Sequence, residues 1–505
     1  MVVEHVDDDL QLSSPAGNDV SDRTGEAGGA SLVVVANRLP LHVETKEGVD
    51  SLIPSTGGLA TALTAALQSR RGTWIGSAVA REIAGLPREY EGIGLAQVVL
   101  SPDEHEAFYL GFSNATLWPL YHDAVRTPTY ERRWWHSYRE VNRRFAEAAA
   151  EAAAEGATVW IHDYQLQLVP QMLRELRADL RIGFFLHIPF PPVELFMQLP
   201  WRREILAGML GADLVGFQVP GAAHNFARLT HQLLGATGTD AQVEYKGRTI
   251  KVGAFPISID SGWFAKRSVD PKVKERSVEI RRELGDPQVL LLGVDRLDYT
   301  KGIEQRIRAA AELYDDGTLR ADRHTIVQIA VPSREEDTHY QDERRHLEEV
   351  VSKVNGEHAD LGQPAVHYLY QSVKSDELVA LYLAADVMMV TPLRDGMNLV
   401  AKEYVACRTD GTGRLVLSEF AGASSELTGA FLVNPHDIDG LKEIIREALT
   451  TSDEEARQRM NMMHKAVLDR DVNQWAEEFL AALEVPDEDS RRGRRPLRGR
   501  LKARR

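Results

Sequence analysis

Cysteine is almost missing from this 505-residue chain. Cys407 stands alone, which excludes an intramolecular disulfide and any cysteine-cluster metal site, and leaves it the role of a small buried thiol. The 16 histidines form no H-E-x-x-H pattern, so a zinc site of that kind is excluded too. No apolar run reaches the roughly 18–20 residues that cross a bilayer. The opening stretch, Met1-Val-Val-Glu-His-Val-Asp-Asp-Asp-Leu10, lacks the basic start and apolar core of a secretory signal. These absences predict a soluble, cytoplasmic protein with no membrane partner. An excess of positive charge is also absent: 75 acids outnumber 59 Lys and Arg, and the formal net charge of −16 argues against nucleic acid as the main partner. No short-period repeat of the solenoid or propeller type is present.

What is present suffices for large cores, with 43% hydrophobic and 7% aromatic residues, and the length predicts two domains. Residues 1–30, rich in Asp, Ser and Gly, read as a disordered extension. Short continuous apolar runs then come in two series. The first holds Leu32-Val-Val-Val-Ala36, Thr158-Val-Trp-Ile161, Ile182-Gly-Phe-Phe-Leu186, Leu214-Val-Gly-Phe217 and Lys251-Val-Gly-Ala-Phe255. The second holds Val289-Leu-Leu-Leu-Gly-Val294, Thr325-Ile-Val-Gln-Ile-Ala330, Val366-His-Tyr-Leu369, Val387-Met-Met-Val390 and Leu415-Val-Leu417. Continuous rather than alternating hydrophobicity marks strands covered on both faces, as in parallel sheets. Helical periodicity separates them, as over Glu131 to Glu155, where Trp134, Tyr138, Val141, Phe145 and Ala148 form a core stripe. The alternation predicts an α/β fold of two doubly wound, Rossmann-like domains. The divide falls after Ser258-Ile-Asp-Ser-Gly262, giving domains over 31–262 and 263–470, and a basic disordered tail over 487–505. The last fifteen residues carry +9 with no acid, leaving −25 for the rest. Such a tail suits an anionic surface or the acidic body of a partner subunit, and equally a solvated end without function.

Ligands of open parallel sheets bind beyond the carboxyl ends of the strands, so the residue types placed there carry information. Asn37-Arg38 follow the first run, and Ser55-Thr-Gly-Gly-Leu59 opens a helix. Arg38 offers a fork for a phosphate; Gly57-Gly58 lets backbone approach a ligand, or simply makes a loop. His162-Asp163-Tyr164 and His187-Ile-Pro-Phe-Pro191 follow the next two runs. Asp163 and His187 suit sugar hydroxyls or proton transfer, and equally a capping carboxylate and a satisfied core histidine. In the second series, Gly293-Val-Asp-Arg-Leu-Asp-Tyr-Thr-Lys-Gly302 sets Arg296 and Lys301 on one short loop before a helix. Two cations there would hold a diphosphate and stabilise it on departure, with Asp295 and Asp298 close enough to fix them; a pair of solvated surface cations is the plainer reading. Ser333-Arg334 adds a further phosphate-sized cation. The aromatic, polar stretch Phe108-Tyr-Leu-Gly-Phe-Ser-Asn-Ala-Thr-Leu-Trp-Pro-Leu-Tyr-His122 reads as a loop between the halves, suited to a sugar ring or to ordinary packing.

The segment Thr391-Pro-Leu-Arg-Asp-Gly-Met-Asn-Leu-Val-Ala-Lys-Glu-Tyr-Val-Ala406 reads as a strand end, a glycine turn and a helix start, where free backbone N–H groups bind phosphate. Asp395 in the turn and Glu403 in the first two helical turns would repel a phosphate, so they accept hydroxyls instead. A diphosphate flanked by hydroxyl-bearing rings describes a nucleotide-sugar. Taken alone, the segment is equally a capped helix with two solvated acids.

In order along the chain, A-N-R-L-P, P-S-T-G-G-L, G-F-S-N-A-T-L-W-P-L, H-D-Y, F-F-L-H-I-P-F-P, G-V-D-R-L-D-Y-T-K-G and T-P-L-R-D-G-M-N-L-V-A-K-E-Y-V-A closely resemble the trehalose-6-phosphate synthase family, from about Ser31 to about Leu483. These are retaining glucosyltransferases of GT-B architecture, two Rossmann-like domains facing each other across a cleft. The resemblance implies transfer of glucose from UDP-, ADP- or GDP-glucose to glucose 6-phosphate, giving α,α-trehalose 6-phosphate, without a cofactor or metal. It assigns the acceptor to Arg38, Tyr109, Trp118, Asp163 and Arg334. The donor falls to Gly58, His187, Arg296, Lys301, Asp395, Glu403 and the backbone of Met397, Asn398 and Leu399. Catalytic roles go to Arg296, Lys301, His187 and Asp395. It also implies a homo-oligomer of the homotetramer type, and a helix near 471–486 that packs back on the first domain.

The chain departs from the family where W-x-G-W becomes Trp74-Ile-Gly-Ser77, which removes an aromatic face near the acceptor. Gln165 stands for a common His after H-D-Y. Two other readings compete. A glycogen-type glucosyltransferase or phosphorylase would take a polymeric acceptor, but Arg38 and Arg334 suit a phosphorylated one. A silent sugar-phosphate-binding subunit would have no need of the intact diphosphate set.

Overall fold

The structure, a computed structural model, describes residues 29–46, 49–54, 58–79, 86–335 and 337–484. The segment through residue 28, the residues Ser55, Thr56 and Gly57, and the basic tail lie outside the described residues.

The two series of apolar runs form two sheets. The first has ten strands in the order Thr237–Gly238, Gln242–Tyr245, Arg248–Ala254, Leu214–Phe217, Arg181–Phe185, Ala153–His162, Ala30–Arg38, Thr73–Val79, Ile93–Leu100 and Glu89–Tyr90. Its seven inner strands run parallel, and antiparallel hairpins finish both edges. The second has six parallel strands in the order Val366–Leu369, His324–Val331, Val289–Arg296, Val387–Val390, Arg414–Ser418 and Phe431–Val433. Helices cover both faces, which is why Val33, Val34 and Val35, and again Leu290, Leu291 and Leu292, are fully buried at consecutive positions. A small hairpin, Leu41–Lys46 with Val49–Pro54, stands apart from both sheets.

Neighbouring strands end level with one another. Arg38 pairs with Ser77, His162 with Phe185, and Arg296 with Val331. Within each sheet the loops that follow these strands therefore share a rim, where the candidate residues lie.

The edge hairpins of the first sheet are antiparallel, as short strands joined by turns of two or three residues must be. Two sequence expectations need correction. The helix expected over Glu131 to Glu155 spans Arg132–Ala152, and Ala153 already pairs with Ala30 in the sheet. The aromatic stretch read as a loop between the halves is helical and belongs to the first sheet's side. Ser101 and Glu104 form a capping box, His105–Leu117 continues with wide i→i+5 turns, and Trp118–Tyr121 closes the run. Burial of its aromatic rings holds it in place: Phe112 lies 4.5 Å from Tyr138 and 5.3 Å from Trp135 of the neighbouring helix.

The last described helix, Val472–Glu484, returns to the first sheet. Phe479 stacks on Trp160 at 4.7 Å, and Trp475 lies 5.1 Å from Phe185. Gly183 and Gly216 make room for it, since a Cβ on either would come within 2.8 Å and 2.6 Å of Phe479. The returning chain bonds to the outgoing one: Val472 donates its N–H to the Ile259 carbonyl at 3.0 Å, and the Trp475 indole donates to the Phe255 carbonyl at 3.0 Å.

Candidate active site

In the second half, the strand Val289–Arg296 delivers Arg296 to the rim, and one tight turn, Tyr299–Lys301, follows. Gly302 then takes φ +62°, and a Cβ there would meet the Thr391 carbonyl at 2.1 Å, so this turn needs glycine. Beneath it, the fully buried Arg306 donates to the carbonyls of Lys301 at 2.8 Å and Met389 at 2.9 Å, and to Thr391 Oγ1 at 3.0 Å. Asp295 neutralises it at 2.7 Å.

The turn's cation meets the opposite loop. Lys301 Nζ lies 2.6 Å from Asp395 Oδ2, which also accepts from Asn398 Nδ2 at 3.1 Å. Burial pushes the Asp395 carboxyl up, and Lys301 brings it below the ordinary carboxylate range. Asn398 adopts φ +77° and caps the helix Leu399–Cys407, its side-chain oxygen accepting the Ala401 N–H at 3.1 Å. Met397 is buried beside it. Glu403, also buried, accepts the Tyr382 hydroxyl at 2.9 Å; burial raises its pKa.

Arg38 at the end of the first strand donates to the Tyr109 hydroxyl at 3.2 Å. Burial would raise the Tyr109 phenol, but the charges of Arg38, Arg334 and Arg296 bring it down to about 8. Trp118 lies under two further cations: the Arg334 guanidinium is 4.0 Å from its ring and that of Arg296 is 5.6 Å away. Arg334 holds φ +51°, a costly conformation for a side-chain-bearing residue, and donates to the Tyr164 hydroxyl at 3.3 Å across the cleft. Ser77 donates to the Asn37 carbonyl at 2.5 Å and lines, with Arg38 and Tyr109, a cleft of about 260 Å³.

Between these clusters, Asp163 takes φ +74° and accepts the His187 N–H at 3.2 Å. Burial lifts its carboxyl to about 6. His187 Nε2 lies 3.1 Å from His162 Nδ1, and burial drives the His187 imidazole down to about 3, so it is neutral near pH 7. The halves touch here as well, because a Cβ on Gly396 would come within 2.2 Å of the His187 carbonyl.

The rim thus gathers Arg38, Tyr109, Trp118, Asp163, His187, Arg296, Lys301, Arg334, Asp395 and the Met397–Leu399 turn. Gly58 opens the helix Gly58–Arg70, and residues 55–57 before it lie outside the described ones. The expectation that Asp295 and Asp298 fix Arg296 and Lys301 is overturned. Asp295 pairs with Arg306 and Asp298 with Arg334, while Lys301 pairs with Asp395. Among the described residues Arg296 has no carboxylate within ion-pair distance. Sequence reasoning missed Arg306, Tyr340 and Tyr382 altogether, since each sits inside a helix with nothing local to mark it. Tyr164 was visible within H-D-Y but drew no role. Among the described residues no group of three or more His, Cys, Asp or Glu is placed to hold a metal ion, and no helix is long and apolar enough to cross a membrane.

Residues 30–485 match the model of glycosyltransferase family 20. The chain is 55% identical over 482 residues to a trehalose-6-phosphate synthase of Mycobacterium sp. (strain KMS), covering 94% of this chain and 98% of that one. It is 52% identical over 474 residues to the enzyme of that name from Mycobacterium tuberculosis (strain CDC 1551 / Oshkosh), covering 90% and 95%. Among solved structures it resembles one from E. coli bound with UDP-2-fluoro glucose, with TM-score 0.83 and 34% identity over 90% of this chain and 99% of the other. An α,α-trehalose-phosphate synthase (UDP-forming) from Burkholderia xenovorans in complex with glucose-6-phosphate gives TM-score 0.81 and 33% identity over 90% and 100%.

Proposed function

The chain belongs to glycosyltransferase family 20, and from that premise we propose how its own residues transfer glucose from a nucleotide-glucose to glucose 6-phosphate. The products are α,α-trehalose 6-phosphate and a nucleoside diphosphate, with retention at the transferred carbon. The acceptor half spans 31–262 and the donor half 263–470. The observation that carries the division of roles is the pair of cations over Trp118, with Arg334 at 4.0 Å on the acceptor side and Arg296 at 5.6 Å on the donor side.

The acceptor's phosphate sits between Arg38 and Arg334 with Tyr109 beside it, and Trp118 and Asp163 bound its sugar ring. On the donor side Arg296 and Lys301 hold the diphosphate, aided by the N–H groups at Met397, Asn398 and Leu399. Asp395 and the neutral His187 accept or donate to hydroxyls of the transferred glucose, Glu403 takes the ribose, and Gly58 closes over the donor. As the bond from the glucose anomeric carbon to the diphosphate breaks, negative charge grows on the leaving group, where Arg296 and Lys301 stabilise it. The new bond forms to the anomeric hydroxyl of glucose 6-phosphate, whose proton passes to an oxygen of the departing diphosphate. Apposition of Gly396 and His187 closes the cleft and keeps water from the donor.

The test offers UDP-, ADP- and GDP-glucose, each with and without glucose 6-phosphate, and follows nucleotide release and product identity. Release that depends on glucose 6-phosphate, with a non-reducing disaccharide phosphate as product, is the expected result. Release without that dependence, or transfer to a glucan, would overturn the reading.

A further inference from the structure

Asp298 lies between Arg296 and Lys301 on the donor loop, is 2% exposed, and spends its acceptor capacity entirely on protein. Its Oδ2 accepts from Arg334 Nη1 at 3.3 Å and from the Tyr340 hydroxyl at 3.1 Å. Arg334 also donates to the Tyr340 hydroxyl oxygen, so Arg334, Tyr340 and Asp298 form a closed triangle. Its Oδ1 accepts from the Thr300 N–H at 3.0 Å and the Thr300 hydroxyl at 2.9 Å. A carboxylate has about four acceptor positions, and these four donors fill them. Asp298 is therefore no base and no substrate contact.

Its two oxygens serve different ends of the cleft. The Oδ2 side holds the guanidinium of Arg334, whose backbone is already in the left-handed region and whose plane lies over Trp118. The Oδ1 side fixes Thr300, whose carbonyl accepts the Leu393 N–H at 2.7 Å, and whose successor Lys301 reaches Asp395. Thr300 thus joins the two loops that line the donor side. We propose that Asp298 is a positioning residue that orients the acceptor-phosphate cation with one oxygen and the donor-diphosphate turn with the other. This rests on the transfer reaction proposed above.

The two arms can be cut separately. Tyr340→Phe removes a donor from the Oδ2 side only, and Thr300→Val removes one from the Oδ1 side only. Hydrogen bonds to a charged group of this kind correspond to changes of about tenfold to a hundredfold. Tyr340→Phe should raise KM for glucose 6-phosphate by about tenfold and leave KM for the nucleotide-glucose within about twofold. Thr300→Val should do the reverse, and Asp298→Ala should raise both. If Asp298→Ala does not fold, the two single-arm variants decide alone. The inference is overturned if both arms shift the same KM together, or if neither KM moves while the melting temperature falls. A wild-type chain with no release dependent on glucose 6-phosphate would instead refute the reaction, so the two failures are distinguishable.

Discussion

Lys301 and Asp395 form an ion pair of 2.6 Å across two loops, with side chains only 10% and 15% exposed. The backbone bond from the Leu393 N–H to the Thr300 carbonyl already joins these loops, and the pair adds a charged side-chain contact beside it. Removing one partner strands the other away from water. Lys301→Ala should cost about 3–5 kcal/mol of stability, the usual penalty for breaking a buried pair. Lys301→Met combined with Asp395→Leu should cost less than the sum of the single changes. Urea unfolding of the four proteins checks this, and strict additivity would show that the two groups do not interact.

Arg296 presents the opposite case. It has a ring beneath it and no carboxylate partner among the described residues, as the proposed leaving-group role requires. Arg296→Ala should leave the unfolding curve nearly unchanged and reduce turnover by about 10²–10³, the loss seen when one preorganised charge stabiliser is removed. Near-normal turnover would refute its leaving-group role.

Arg38 should matter only for the phosphorylated acceptor. In Arg38→Ala, KM for glucose 6-phosphate should rise by about tenfold or more, the scale of a charge-assisted contact to phosphate. Any turnover with unphosphorylated glucose should change little. Equal loss with both acceptors would place the phosphate elsewhere.

The phenol of Tyr109 titrates at about 8 because three guanidiniums surround it. Below that pH it is neutral; above it, the anion adds negative charge beside the site proposed for the acceptor's phosphate. KM for glucose 6-phosphate should therefore climb as pH rises through about 8, and Tyr109→Phe should flatten the profile. An unchanged slope in Tyr109→Phe would assign the titration to another group.

The fold was legible because its signals are local. Leu32–Ala36 and Val289–Val294 are apolar without alternation, which only strands buried on both faces tolerate. The aromatic stretch after Phe108 misled because its turns are wide, and a 3.6-residue period does not register there. Within the site, motif residues such as Arg296, Lys301 and Asp395 were visible at strand ends. Their pairing was not. Nearness in sequence suggested Asp298 for its loop neighbours, whereas the sheet carries the carboxylate against Arg334, 36 positions away. Tyr340 and Arg306 act from helices whose outward pattern is that of any amphipathic segment.

The double passage of the chain between the halves has a mechanical meaning. Val472 and Trp475 run bonded alongside Ile259 and Phe255, so the link is a two-stranded strap rather than a single tether. A strap of this kind resists twist and sliding but permits bending about one line. An opening of the halves about this strap is expected to follow a single arc that ends with Gly396 against His187.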